Sequence, residues 1–184
     1  LQHEIGHVLG LDHSDPDGGL RGDDTLGNIM NDALGLSTRR WADAVDAALA
    51  GTAPAAAGDG EMLARILLLD QFTRNIFRDT PRAFAGDVLA LPAAQAMVAR
   101  GDDQALPPLR RVFAYLPFEH AEDPAMQLQS LRLFAALTAA DASLASFEDY
   151  ARRHAEVIER FGRFPHRNAV LGRASTAEEL AFLA

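Results

Sequence analysis

From residue 61 onward the apolar residues recur at helical spacing, segment after segment, with no stretch of strand-type alternation. Met62, Leu63, Ile66, Leu67, Leu69, Phe72 and Ile76 predict a helix over about 61–78. Pro81 stands near the start of a second, about 82–99, kinked or restarted at Pro92. Leu109, Val112, Phe113 and Leu116 predict a third over about 105–116, ended by Pro117. Asp123-Pro124 is an N-cap and first-turn pair for a helix over about 124–140. A further helix runs over about 144–162 to Gly162, and Ser175-Thr176-Ala177-Glu178 reads as a capping box opening the last one. Upstream, Trp41, Val45, Ala48 and Leu49 mark a short helix, followed by an Ala- and Gly-rich linker over about 51–60. The expected fold class is all-α, and paired helices without exact repeats suggest a helical array.

The 184 residues suffice for one domain, or for a fragment joined to a small domain. Hydrophobic residues make up 48% and mean hydropathy is −0.05, a soluble globular composition with no run long enough to span a membrane. A net charge of −9 argues against a nucleic-acid partner, because phosphate binding needs basic surface. With no cysteine, disulfides and thiolate metal sites are excluded, and a metal would have to be held by His or carboxylate. Every basic residue is arginine, as GC-rich coding would give.

The chain opens on Leu1-Gln2 and reads there as a fragment or fusion. Residues 1–10 have helical periodicity, with Leu1, Ile5 and Val8 on one face and Gly10 as the stop. His3 and His7, four apart, project from one face and can share a metal. Glu4 beside them is placed to take a proton from zinc-bound water. Gly10 lets the chain turn back so that His13 becomes the third ligand, leaving a fourth position for water as in catalytic zinc sites. Residues 11–36 are a loop rich in Gly and Asp, without the spacing of an EF-hand.

The run from His3 to Ser14 resembles the metzincin metallopeptidases, closest to their matrixin-like branch, and Asn28-Ile29-Met30 resembles their Met-turn. The resemblance covers about residues 1–35 and implies Zn2+ as cofactor, Glu4 as general base, Met30 beneath the metal, and a peptide or protein substrate. In metzincins a β-sheet precedes the zinc helix, whereas two residues precede His3, so residues 1–36 read as a truncated part of such a domain.

Three segments carry charges within apolar surroundings: Leu67–Arg78, Tyr115–Asp123 and Phe161–Asn168. Buried charges need partners, so some of Asp70, Arg74, Arg78, Glu119, His120, Glu122, Arg163, His166 and Arg167 should meet. Two readings are open. One is a pocket with a histidine for acid–base work and arginines for a small anionic ligand; the other is a salt-bridge network that fixes helix register.

These segments, with Phe84, Ala85, Asp87 and Leu171-Gly172-Arg173-Ala174-Ser175, resemble the bacterial family catalogued as domain of unknown function 924. Ala121 departs from it, Ser being usual there. The resemblance covers residues 39–184 and implies an all-helical fold similar to tetratricopeptide repeats, without implying a reaction. Two functions are thus expected from the sequence. The first is a zinc peptidase active-site segment joined to a helical domain. The second is a non-catalytic ligand-binding or interaction domain with a vestigial or artefactually joined zinc motif. Neither involves nucleic acid or membrane; the peptidase part implies export and the helical family the cytoplasm.

Overall fold

The protein, described from a computed structural model, is seen over residues 38–52 and 59–184. The candidate zinc segment with His3, Glu4, His7, Gly10, His13 and Met30 lies outside the described residues. Those described are helical, with no strand among them: α1 (Thr38–Leu49), α2 (Asp59–Leu67), a π-helical turn (Leu68–Phe72), α3 (Thr73–Ile76), α4 (Asp87–Arg100), α5 (Pro108–Glu119), α6 (Pro124–Ala140), α7 (Ala145–Phe161) and α8 (Ala177–Leu183). Short 3-10 turns at Pro81–Phe84, Asp102–Ala105, Ala142–Leu144 and Pro165–Arg167 join them. None of these helices is long and apolar enough to cross a membrane.

The core gathers the apolar stripes read from the sequence. Val45, Ile66, Met97, Val112, Leu116 and Phe134 pack in one cluster with Phe147. Phe134 meets Tyr115 edge-on at a centroid distance of 5.9 Å. The link from Ala140 to Ala145 folds α7 back against α6, and Asp141 caps its turn by accepting from Ser143 N at 3.0 Å. At Gly162, φ is 69°, the left-handed conformation that ends α7.

Four expectations are corrected. The helix predicted over 61–78 contains a π turn at Leu68–Phe72, a feature that apolar spacing does not show. No helix restarts at Pro92 and none ends at Pro117. Pro92 lies inside α4, where the carbonyl it deprives of a partner belongs to Val88, a solvent-exposed residue. Pro117 lies near the end of α5, which continues to Glu119 and closes through His120 N to Leu116 O at 2.9 Å, with Leu116 and Phe118 buried. The final capping box sits one residue later than predicted. Glu179 N donates to Thr176 Oγ1 at 3.1 Å and Thr176 N to Glu179 Oε2 at 2.7 Å, while Ser175 accepts from Asn168.

The π turn positions the site. Leu69, Asp70, Gln71, Phe72 and Thr73 are buried in succession, which one face of a regular α-helix would not allow. Side chains of the next turn serve its carbonyls: Thr73 Oγ1 donates to Leu69 O at 2.6 Å, Arg74 to Asp70 O at 2.9 Å and Asn75 Nδ2 to Gln71 O at 2.7 Å. Gly86, the N-cap of α4, presses on the same turn. A Cβ there would stand 1.9 Å from Leu69 O, so only glycine lets α4 start this close.

Candidate functional site

Where the π turn, the start of α4, the end of α5 and the Pro165–Arg167 turn converge, a cleft of about 430 Å³ opens, lined among others by Asp70, Phe84, Asp87, His120, Glu122 and Arg167. At its base Asp70, 1% exposed, lies with Oδ1 2.7 Å from His120 Nδ1 and 3.0 Å from an Arg74 terminal nitrogen. Arg74 forks onto Asp87 at 2.7 and 3.0 Å. Arg167 reaches Asp87 Oδ2 at 3.2 Å and the His120 carbonyl at 2.9 Å, where a cation suits a helix C-terminus. Its guanidinium lies between the rings of Phe84 and Phe164, 4.7 and 4.6 Å from their centroids, and its Nε makes no hydrogen bond. Gln127 Nε2 donates to the carbonyls of Glu119 and Ala121 at 2.7 and 2.8 Å, completing the cap of α5.

Charge is nearly balanced here. Burial alone would raise the Asp70 carboxyl, but the Arg74 charge and the hydrogen bonds from His120 and Gln71 outweigh it and hold Asp70 well below the usual carboxylate range. Burial, aided by the Arg74 and Arg167 charges, lowers His120 against the pull of Asp70. Burial and the Arg74 charge push Arg167 down to about 10. A carboxylate only accepts, so His120 Nδ1 carries the hydrogen and Nε2 is left for proton exchange. The geometry is that of an imidazole oriented by a buried carboxylate.

The charged residues singled out from the sequence divide into a joined set and an outlying set. Asp70, Arg74, His120 and Arg167 meet in one network, and Glu122 stands at the cleft wall, held by a fork from Arg173 at 2.6 and 2.9 Å and by Phe164 N at 2.7 Å. For Glu122, burial is outweighed by these bonds and the carboxyl is lowered. The others lie outside that network. Arg78 is exposed and bonds Asn75, Arg163 forks onto Glu179 at 2.6 and 2.8 Å, and His166 is exposed beside Phe164. Glu119 turns away from the cleft to His154 because consecutive helical side chains diverge by about 100°.

Sequence reasoning left Asp87, Arg173, Phe84 and His154 out of the charged constellation. Gly86-Asp87 at a helix start was the available signal for Asp87; nothing in the spacing marks His154. Among the described residues no cluster of His and carboxylates could hold a metal ion.

Residues 32–184 match the family described as bacterial protein of unknown function (DUF924). The chain belongs to this family. A solved structure, that of a protein of unknown function from Agrobacterium tumefaciens, is 35% identical, with a TM-score of 0.67 over 100% of this chain and 98% of that one. No curated protein is found to match the chain. The DUF924 match covers every residue of the cleft network.

Proposed function

We propose that the DUF924 domain of this chain binds a small ligand in the cleft and that His120, oriented by Asp70, exchanges a proton with it at Nε2. The Asp70–His120 pair, buried on the cleft wall, carries this reading. Phe84, Val88, Leu91 and Leu171 offer apolar contact for the body of the ligand. Arg74 and Arg167 are already balanced by Asp70 and Asp87, so a small anion would enter together with protonation of His120. The test is a thermal-shift screen of small carboxylates and phosphate esters against the full chain, its His120→Gln variant and Arg74→Ala as a control. Stabilisation that is lost in His120→Gln supports the reading; equal shifts in both proteins overturn it.

A second reading concerns residues 1–36, supported by the ligand spacing of His3, His7 and His13 with Glu4. There the segment holds Zn2+, and Glu4 would assist peptide hydrolysis by metal-bound water. Zinc near stoichiometric in the purified chain, lost in His7→Ala, supports it; no bound zinc sinks it. The alternative of an interaction domain draws on the succession of helices α4 to α7, and a protein partner binding with the cleft blocked would favour it.

A further inference from the structure

We propose that Glu119 and His154 form a second buried acid–base pair, back to back with the Asp70–His120 pair, that sets the charge state of His120. This rests on the reading of His120 as the proton-exchanging group of the cleft. Glu119 and His120 are consecutive in sequence, at the end of α5, and face opposite ways. His120 meets Asp70, while Glu119, 2% exposed, places Oε1 3.0 Å from His154 Nδ1. The same Nδ1 lies 2.9 Å from the Tyr150 carbonyl. A carbonyl only accepts, so Nδ1 carries a hydrogen bonded to Tyr150 O, with Glu119 Oε1 beside the same nitrogen. The His154 and His120 rings are 6.2 Å apart at 61°.

The groups facing this cluster come from several elements. Asp70 comes from the π turn, Arg74 from α3, His154 from α7, and His166 and Arg167 from the turn before α8. Burial and the Asp70 charge push the Glu119 carboxyl up to about 8. Burial pushes His154 down to about 4 against its bond to Tyr150. At neutral pH Glu119 and His154 are therefore both uncharged, despite an ion-pair distance of 3.0 Å. One carboxyl of the cluster is charged and the other is not.

When Glu119 releases its proton to solvent, a second carboxylate appears beside the residue that carries the cleft imidazole. That charge favours the protonated forms of His120 and His154, so the titrations become coupled. No other reactant is needed: the proton leaving Glu119 goes to water, and His120 takes its own from water or from the ligand. His154 acts as a positioning residue, because its ring, fixed by Tyr150 O, packs its Nδ1 3.0 Å from the Glu119 carboxyl.

The test reads the imidazole signals of His120 by NMR on the ligand-free full chain, from about pH 5 to about pH 9. The expected curve has a second step near pH 8, the range to which Glu119 is pushed. That step should vanish in Glu119→Gln. His154→Ala should shift it, and His154→Asn, which retains an N–H donor, should move it back. A purely structural role for His154 would lower stability and leave the His120 curve in place. A single-step His120 curve, the same in wild type and Glu119→Gln, overturns the proposal. If Glu119→Gln does not fold, the side-chain carboxyl carbon of Glu119 in the wild-type chain decides: titration near the ordinary 4.5 rather than near 8 overturns it. Because no ligand is present, failure here leaves the ligand-binding reading standing, and failure of the ligand screen leaves this coupling readable.

Discussion

His120 and Asp70, fifty residues apart in sequence, meet at 2.7 Å with both side chains buried. The contact exists because a π turn carries Asp70 inward and because α5 runs on past Pro117 to deliver His120. It joins the π turn to the end of α5 and orients the cleft imidazole of His120.

Removing one partner of such a pair leaves the other buried without compensation. Asp70→Ala should therefore lose about 3–5 kcal/mol of stability, read as a lower urea midpoint. Asp70 is held low in the folded state, so its stabilising contribution is present above its ordinary range and is lost as pH falls below about 4. Wild type should lose stability across that acid range, and Asp70→Ala should lack this part of the dependence.

At Gly86 the constraint is space rather than dihedral angle, since φ is −83°. Gly86→Ala drives a Cβ toward the Leu69 carbonyl, a backbone atom that cannot swing aside. A loss of about 1–3 kcal/mol is expected from forcing extra volume into a close contact. The Arg74–Asp87 fork should loosen with it, so ligand-dependent thermal shifts should fall by more than in an exposed-site control such as Ala139→Gly.

Glu119 gives stability the opposite pH dependence from Asp70. Its folded-state value is raised from the ordinary 4.5 to about 8, so the folded chain binds the proton more tightly than the unfolded one. Stability from this source is fully present below about 4.5 and is lost as pH rises toward 8. Glu119→Gln should flatten the decline between those values, in denaturation curves taken at successive pH. A decline unchanged in the variant would contradict the assignment.

Anion affinity should follow the charge on His120. Burial lowers the imidazole below its ordinary range, so at neutral pH it is uncharged and the network is balanced. Binding of a small carboxylate, measured by calorimetry, should strengthen as pH falls below about 6.5 and become pH-independent in His120→Gln.

Much of the scaffold could be read from local chemistry. Asp123-Pro124 opens α6 at the expected residue, with Ala125 N donating to Asp123 Oδ1 at 2.7 Å, and Gly162 closes α7. These signals act within one or two turns, so sequence neighbours contain the whole cause. The site was less legible. Arg163 and Arg167 occupy one short segment and look equivalent, yet one forks onto Glu179 and the other enters the cleft. The intervening turn at Pro165–Arg167 makes that choice.

The sequence by itself determined the all-helical class, most helix ends, the family, and the residue types from which a buried polar network had to be drawn. It also carried the zinc-ligand spacing of His3, His7 and His13. Only the tertiary structure decided which charges meet. Asp70 finds His120, and Asp87 finds Arg167 eighty residues away, once Gly86 lets α4 press on the π turn. The physical reason is range: caps and apolar stripes are fixed by neighbours in sequence, whereas the pairing of buried charges is fixed by where packing closes the chain on itself.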